Sequence, residues 1–187
     1  MRAFLALPLP DSVREAAASA QQLLAASRAD IKWVEPQNLH LTLRFLGELT
    51  DVKRQELEAS LAPVAVRTRA WRLGLEQIGA FPSVAAPRVV WIGVGEGREA
   101  AAQLAEQIEA VCAPLGLQGE SRPFSAHVTL GRVRGARHRH ALVAALSTAA
   151  WSPPPSWDAT ELRLYESQLS SSGPAYRVVT SWAFAGA

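Results

Sequence analysis

The phrase His40-Leu41-Thr42-Leu43 returns as His127-Val128-Thr129-Leu130, nearly half of the 187-residue chain later. Each copy sets a histidine and a threonine two residues apart among apolar neighbours. On a strand, where successive side chains alternate faces, that spacing turns both polar groups to one side and the apolar ones to the other. The chain's own composition allows about 0.01 chance occurrences of His-apolar-Thr-Leu, so two copies mark an internal duplication. Whatever this chain folds into must present two equivalent strands.

The surrounding elements repeat in the same order. Residues 2–8 read as a strand, Asp11 caps a helix through about residue 26, and 31–34 and 39–46 read as strands. A helix over 51–61, ended by Pro63, precedes strands near 70–78 and 88–94, with Gly79-Ala80-Phe81-Pro82 as a turn. The pattern then resumes with an amphipathic helix over 97–112, a strand over 126–133, a short helix over 138–148, and strands near 159–166 and 175–184. The segments 152–156 and 170–174, rich in Ser, Pro and Gly, read as turns. The expectation is an α+β fold, bilobal and duplicated, of two antiparallel-rich sheets with outer helices. Residues 1–187 form one domain of two intertwined lobes, each carrying one motif, related by a pseudo-twofold axis and facing each other across a central cleft.

Charge narrows the partners. A net charge of +2 and a pI near 9.1 favour anions mildly, well short of a polybasic nucleic-acid binder. Only Lys32 and Lys53 among the 19 basic residues are lysines, and arginine is the better bidentate partner for phosphate, although a codon bias toward Arg and Ala accounts for this better than function does. Cys112, the one cysteine, sits in an apolar helix-like stretch and reads as an inert core thiol suited to a reducing cytoplasm. The apolar run from Phe4 to Leu9 is too short and too interrupted, by Pro8 and Pro10, to serve as a secretion leader. No run is long enough for a transmembrane helix. A cytoplasmic monomer without a membrane partner is expected.

The segment Trp33-Val34-Glu35-Pro36-Gln37-Asn38-Leu39-His40 through Gly47, and Arg122-Pro123-Phe124 leading into His127 through Val133, resemble the two-histidine (2H) phosphoesterases. The nearest branch is the RNA 2′,3′-cyclic phosphodiesterases of bacteria and archaea, the 2′-5′ RNA ligase-like proteins. The likeness runs end to end, from Arg2-Ala3-Phe4-Leu5-Ala6-Leu7 through Pro87-Arg88-Val89-Val90-Trp91 to Leu164-Tyr165 and Tyr176. It departs at Ser125-Ala126, where an Arg-Pro pair is common in the family, and at Glu166, where a basic residue is common. Both departures bear on substrate contacts rather than on the chemistry. The resemblance implies metal-independent hydrolysis of RNA 2′,3′-cyclic phosphate ends to a 2′-phosphomonoester, with no cofactor. Its partners would be such RNA ends or cyclic nucleotides, with a nucleotide such as ATP or GTP as a further ligand. It also implies that His40 is the general acid protonating the leaving 3′ oxygen and His127 the general base activating water.

The residue types suit that chemistry. Opening a cyclic phosphate needs one group to accept a proton and another to donate one, and histidine does either near neutrality. Thr42 and Thr129 would donate hydroxyl hydrogen bonds to the non-bridging oxygens. Alternation along the first motif strand places Arg44 on the face of His40 and Thr42, as a phosphate or ribose contact. Arg132 has the wrong parity relative to His127 unless a bulge at Gly131 re-aims it. Arg122 and Arg134 read as solvated, and Phe4, Trp33 and Tyr165 as core residues before base-stacking ones. His138-x-His140 points its rings apart on a helix and has no acidic or cysteine partner. The acidic residues near the motifs, Glu35, Glu48 and Glu120, form no cluster, so no metal ligands are assigned. Two other readings fit the motif, a phosphodiesterase for another small cyclic phosphoester and a non-catalytic RNA-end-binding module.

Overall fold

The first half of the fold is laid on β1 (Arg2–Pro8), whose residues Ala3 to Leu7 are all buried. A strand with both faces covered reads as an unbroken apolar run rather than an alternating one. The computed structural model describes residues 1–119, 122–170 and 173–187; Glu120 and the centre of the expected turn at 170–174 lie outside the described residues. After β1 come α1 (Asp11–Ala25), β2 (Ile31–Trp33), a 3-10 turn at Pro36–Asn38, β3 (His40–Glu48), α2 (Asp51–Arg67), β4 (Trp71–Leu73), β5 (Leu75–Ser83) and β6 (Ala86–Val94). Then follow α3 (Arg98–Cys112), β7 (His127–Val133), α4 (Arg139–Thr148), β8 (Trp157–Ala159), β9 (Glu161–Ser170) and β10 (Gly173–Ala183).

Eight strands form one antiparallel sheet in the order β10-β9-β1-β3-β7-β6-β5, with β2 also paired to β7. The motif strands β3 and β7 meet at one register pair, Leu41 with Val128. The sheet is therefore two antiparallel halves joined at the motifs, which fits the duplicated α+β reading. The helices cover the back of the sheet crosswise. The first-half helix α1 packs on β7, and the second-half helix α3 packs on β3. Their buried stripes, Val13, Ala17, Ala20, Gln21 and Leu24 on α1 and Ala101, Leu104, Ala105, Ile108 and Cys112 on α3, follow the helical repeat.

Asp11 opens α1 as its first helical residue rather than capping it, and three further local expectations give way. The helix expected to end before Pro63 continues to Arg67, because Leu61, Val64 and Ala65 extend its buried stripe and that burial offsets the one hydrogen bond proline cannot donate. Gly79 to Pro82 is strand rather than turn: a Cβ on Gly79 would lie 2.3 Å from the Trp91 ring, so glycine is what admits the neighbouring indole. The run expected as one strand over 70–78 divides at Gly74, and β4 leaves the main sheet to pair with β8. Among the described residues no helix is long and apolar enough to cross a membrane.

Candidate active site

The Leu41–Val128 pair is flanked on one side by His40 and Thr129 and on the other by Thr42 and His127. An antiparallel pairing of that register sets each motif's histidine beside the other motif's threonine, with a local twofold through the pair. Leu41 and Val128 are fully buried on the helix side, whereas all four polar residues are half-buried on the opposite, open face. Backbone carbonyls hold both rings. His40 Nδ1 donates to the Asn38 carbonyl at 2.7 Å, and His127 Nδ1 donates to the Ser125 carbonyl at 2.6 Å. A carbonyl can only accept, so each Nδ1 carries hydrogen and Nε2 is left as the basic nitrogen.

The two histidines live in different surroundings. His40 lies against Phe4, with ring centroids 4.7 Å apart, and takes the edge of Tyr176 at 5.3 Å. Tyr165 stacks 5.1 Å from Phe4 and 6.1 Å from His40. Burial among these rings lowers the His40 pKa to about 4; the Asn38 hydrogen bond works the other way, and the charge of His127 lowers it further. His40 is therefore neutral at pH 7. His127 meets the perpendicular ring of Phe81 at 5.0 Å and the tilted Trp91 at 6.3 Å. Asn38, which the sequence reading did not single out, adds a second link at His40: its side-chain amide donates to the Pro174 carbonyl at 2.7 Å, fastening β10, which carries Tyr176, to the residue that orients the ring.

A bulge follows the threonine in each motif strand. On β1 successive residues Leu5 and Ala6 pair with Arg44 and Thr42, so Leu43 is the extra residue; on β6 Val90 and Trp91 pair with Gly131 and Thr129, so Leu130 is. One extra residue inverts the parity of everything after it. Arg44 consequently turns to the helix side, where it is 3% exposed, ion-paired with Glu109 and hydrogen-bonded to the carbonyls of Leu117 and Gln118. The expectation that it shares the face of His40 and Thr42 is overturned by the bulge. Arg132 is carried the other way, onto the face of Thr129, and its charge is felt by Tyr176, whose hydroxyl pKa burial raises and Arg132 lowers. The Leu130 carbonyl at the bulge accepts from Gln21 at 2.9 Å and from the Val34 backbone at 2.8 Å.

The remaining candidates separate cleanly. Arg122 and Arg134 are exposed, and Phe4 is buried core that also forms the His40 wall. Trp33 packs behind the sheet, where a Cβ on Gly131 would meet its ring at 2.9 Å. His138 and His140 are exposed, and among the described residues no three metal-ligating side chains gather. Glu166 is tied to Arg177 at 2.8 Å, and Ser125 contributes its carbonyl rather than its side chain.

Two half-sheets joined along strands that each present a His-x-Thr pair to the open face define a phosphoesterase of the two-histidine class. The sequence model of the LigT-like phosphoesterases matches twice, over residues 7–91 and 92–176, with one motif in each match, and the chain belongs to that family. An RNA 2′,3′-cyclic phosphodiesterase of Aeropyrum pernix is 35% identical over 156 residues, covering 83% of this chain and 88% of the relative. Among solved structures, TT0787 of Thermus thermophilus superposes with a TM-score of 0.82 at 29% identity, covering 100% of this chain and 99% of that one. Escherichia coli LigT complexed with 3′-AMP gives 0.78 at 28% identity, covering 98% of each chain.

Proposed function

We propose that this enzyme opens 2′,3′-cyclic phosphates at RNA ends by water attack, leaving a 2′-phosphomonoester, with the two histidines and two threonines as its catalytic groups and no metal. The observation that carries the reading is the pair of Nδ1-anchored histidines on one open face, each beside the other motif's threonine. The relatives named as RNA 2′,3′-cyclic phosphodiesterases support the choice of substrate. In the reaction the water oxygen bonds to phosphorus as its proton passes to His127, and the P–O3′ bond breaks as O3′ takes a proton from His40. Thr42 and Thr129 hold the non-bridging oxygens. On its own His40 is neutral at pH 7. The anionic diester supplies the counter-charge that raises its pKa, so on this assignment it gains its proton together with the substrate. The enzyme acts as a cytoplasmic monomer.

The test is to incubate the protein with a short RNA ending in a 2′,3′-cyclic phosphate, in excess EDTA, and to locate the phosphate in the product. Full turnover to a 2′-phosphate supports the reading. Loss of turnover in chelator, restored by a divalent ion, would replace it with a metal mechanism. Turnover of non-nucleotide cyclic phosphoesters with none on RNA would keep the chemistry and move the substrate.

A further inference from the structure

We infer that the enzyme reads the RNA strand beyond its reacting end, seating the next phosphodiester on the 5′ side upon a cationic shelf made by Lys32 and Arg132. This rests on the cyclic-phosphate reading and names the longer substrate that it favours. Lys32 and Arg132 are cross-strand partners in the pairing of β2 with β7, so they share a face. That face is the open one. Val89 pairs with Arg132 and Trp91 with Thr129, and two residues apart on an unbroken stretch of β6 means one side of the sheet. The hypothetical Cβ of Gly131 points the other way, into Ile31 and Trp33, which places Lys32 between them on the cleft side. Both cations are exposed, and among the described residues neither forms an ion pair. Asp30, the acidic residue nearest in sequence, lies against Gly135 instead. Arg132 follows Thr129 by three residues, within about 10 Å along the strand, a separation that long basic side chains and one nucleotide step together span.

The other half of the cleft differs in kind. Phe45, Phe4, Tyr165 and Val178 form one row across four strands, on the same face as Thr42. Phe45 and Val178, the two ends of that row, are 54% and 42% exposed. The cations on that side face carboxylates: Arg2 sits across from Glu48, and Arg163, on the face of Tyr165, is ion-paired with Glu161. An apolar, aromatic floor suits the flat, uncharged part of the terminal nucleotide, and adjacent cations suit the phosphodiester that a cyclic mononucleotide lacks. The unlike halves therefore give the strand a direction, with its end over the first motif's half and its 5′ continuation over the second.

The experiment compares wild type with Lys32→Gln on a 2′,3′-cyclic mononucleotide and on an oligoribonucleotide ending in the same cyclic nucleotide, across a salt series. Lys32 is exposed, so the variant is expected to keep the wild-type melting temperature. Wild type should prefer the oligonucleotide. Lys32→Gln should lower kcat/KM on the oligonucleotide about fivefold, flatten its log–log salt dependence by about 0.7, the value for one contact to a single strand, and leave the mononucleotide rate unchanged. No change on either substrate, or an equal loss on both, would overturn the shelf. A wild type inactive on both would overturn the cyclic-phosphate reading, and the shelf with it.

Discussion

The strands β3 and β7 carry the same phrase, place their histidines on backbone carbonyls in the same tautomer and bulge after the same threonine, yet they diverge at the next two residues. After the bulge β3 turns Arg44 inward and Phe45 outward; β7 turns Gly131 inward and Arg132 outward. Inward, Arg44 gathers Glu109 and the loop carbonyls of Leu117 and Gln118 at the end of α3, while Gly131 leaves room for Ile31 and Trp33. Outward, one half offers an aromatic ring to the cleft and the other a cation. On the proposed mechanism the shared backbone sets where chemistry happens, and the unshared side chains set what each half does around it. A duplicated site can thus keep a symmetric centre while its rims specialise.

Replacing the histidines tests the symmetric centre most severely. His40→Ala and His127→Ala should each lower kcat by about a hundred- to ten-thousand-fold, the usual worth of a general acid or base. Near-wild-type turnover in either would leave the two motifs unequal in kind. The threonines come next: Thr42→Ala and Thr129→Ala should each cost up to about a hundredfold in kcat with unchanged melting, since each removes one transition-state hydrogen bond from an otherwise intact strand. Equal activity in the double variant would make the hydroxyls spectators.

The two arginines break the symmetry and should do so in different assays. Arg132→Ala should lower kcat/KM about tenfold without moving the melting temperature. Arg44→Ala should cost about 2–4 kcal/mol of stability by leaving buried acceptors unpaired, with kcat/KM close to wild type at permissive temperature. If Arg44→Ala instead behaved like Arg132→Ala, the bulge would not be separating their faces. The smallest effect expected is at Asn38, where Ala should lower kcat threefold to tenfold with little change in KM, because the ring of His40 loses its link to β10 rather than its proton.

How much of this was legible in the sequence follows from the length over which each signal operates. The helical stripes of α1 and α3 and the paired motifs span many residues with one period, and both the elements and the family could be read from them. A bulge is a one-residue event without a composition signature, so strict alternation misplaced Arg44; the conditional reading of Arg132 named a bulge but put it at Gly131, one residue beyond Leu130 where it falls. Asn38 escaped because its two links run through a backbone carbonyl and a partner 136 residues away, and neither is encoded locally. Pro63 and Gly79 were misread for the opposite reason, since tertiary burial outweighed strong local breakers.

The pH dependence of turnover tests the paired histidines most directly. In the folded protein His40 takes up its proton only near pH 4, against 6.5 for an unshifted imidazole. Its neutral form therefore favours the folded state above pH 6.5, and that contribution is lost as the pH falls from 6.5 through about 4. Bound phosphate should draw the titration of His40, followed by NMR, upward from about 4. Turnover itself should trace a bell whose two limbs belong to the coupled pair, because one ring must be charged while the other is not. Such a bell in kcat on a cyclic-phosphate RNA end is the predicted result, and a rate that rises without a maximum into alkaline solution would contradict the paired-histidine mechanism.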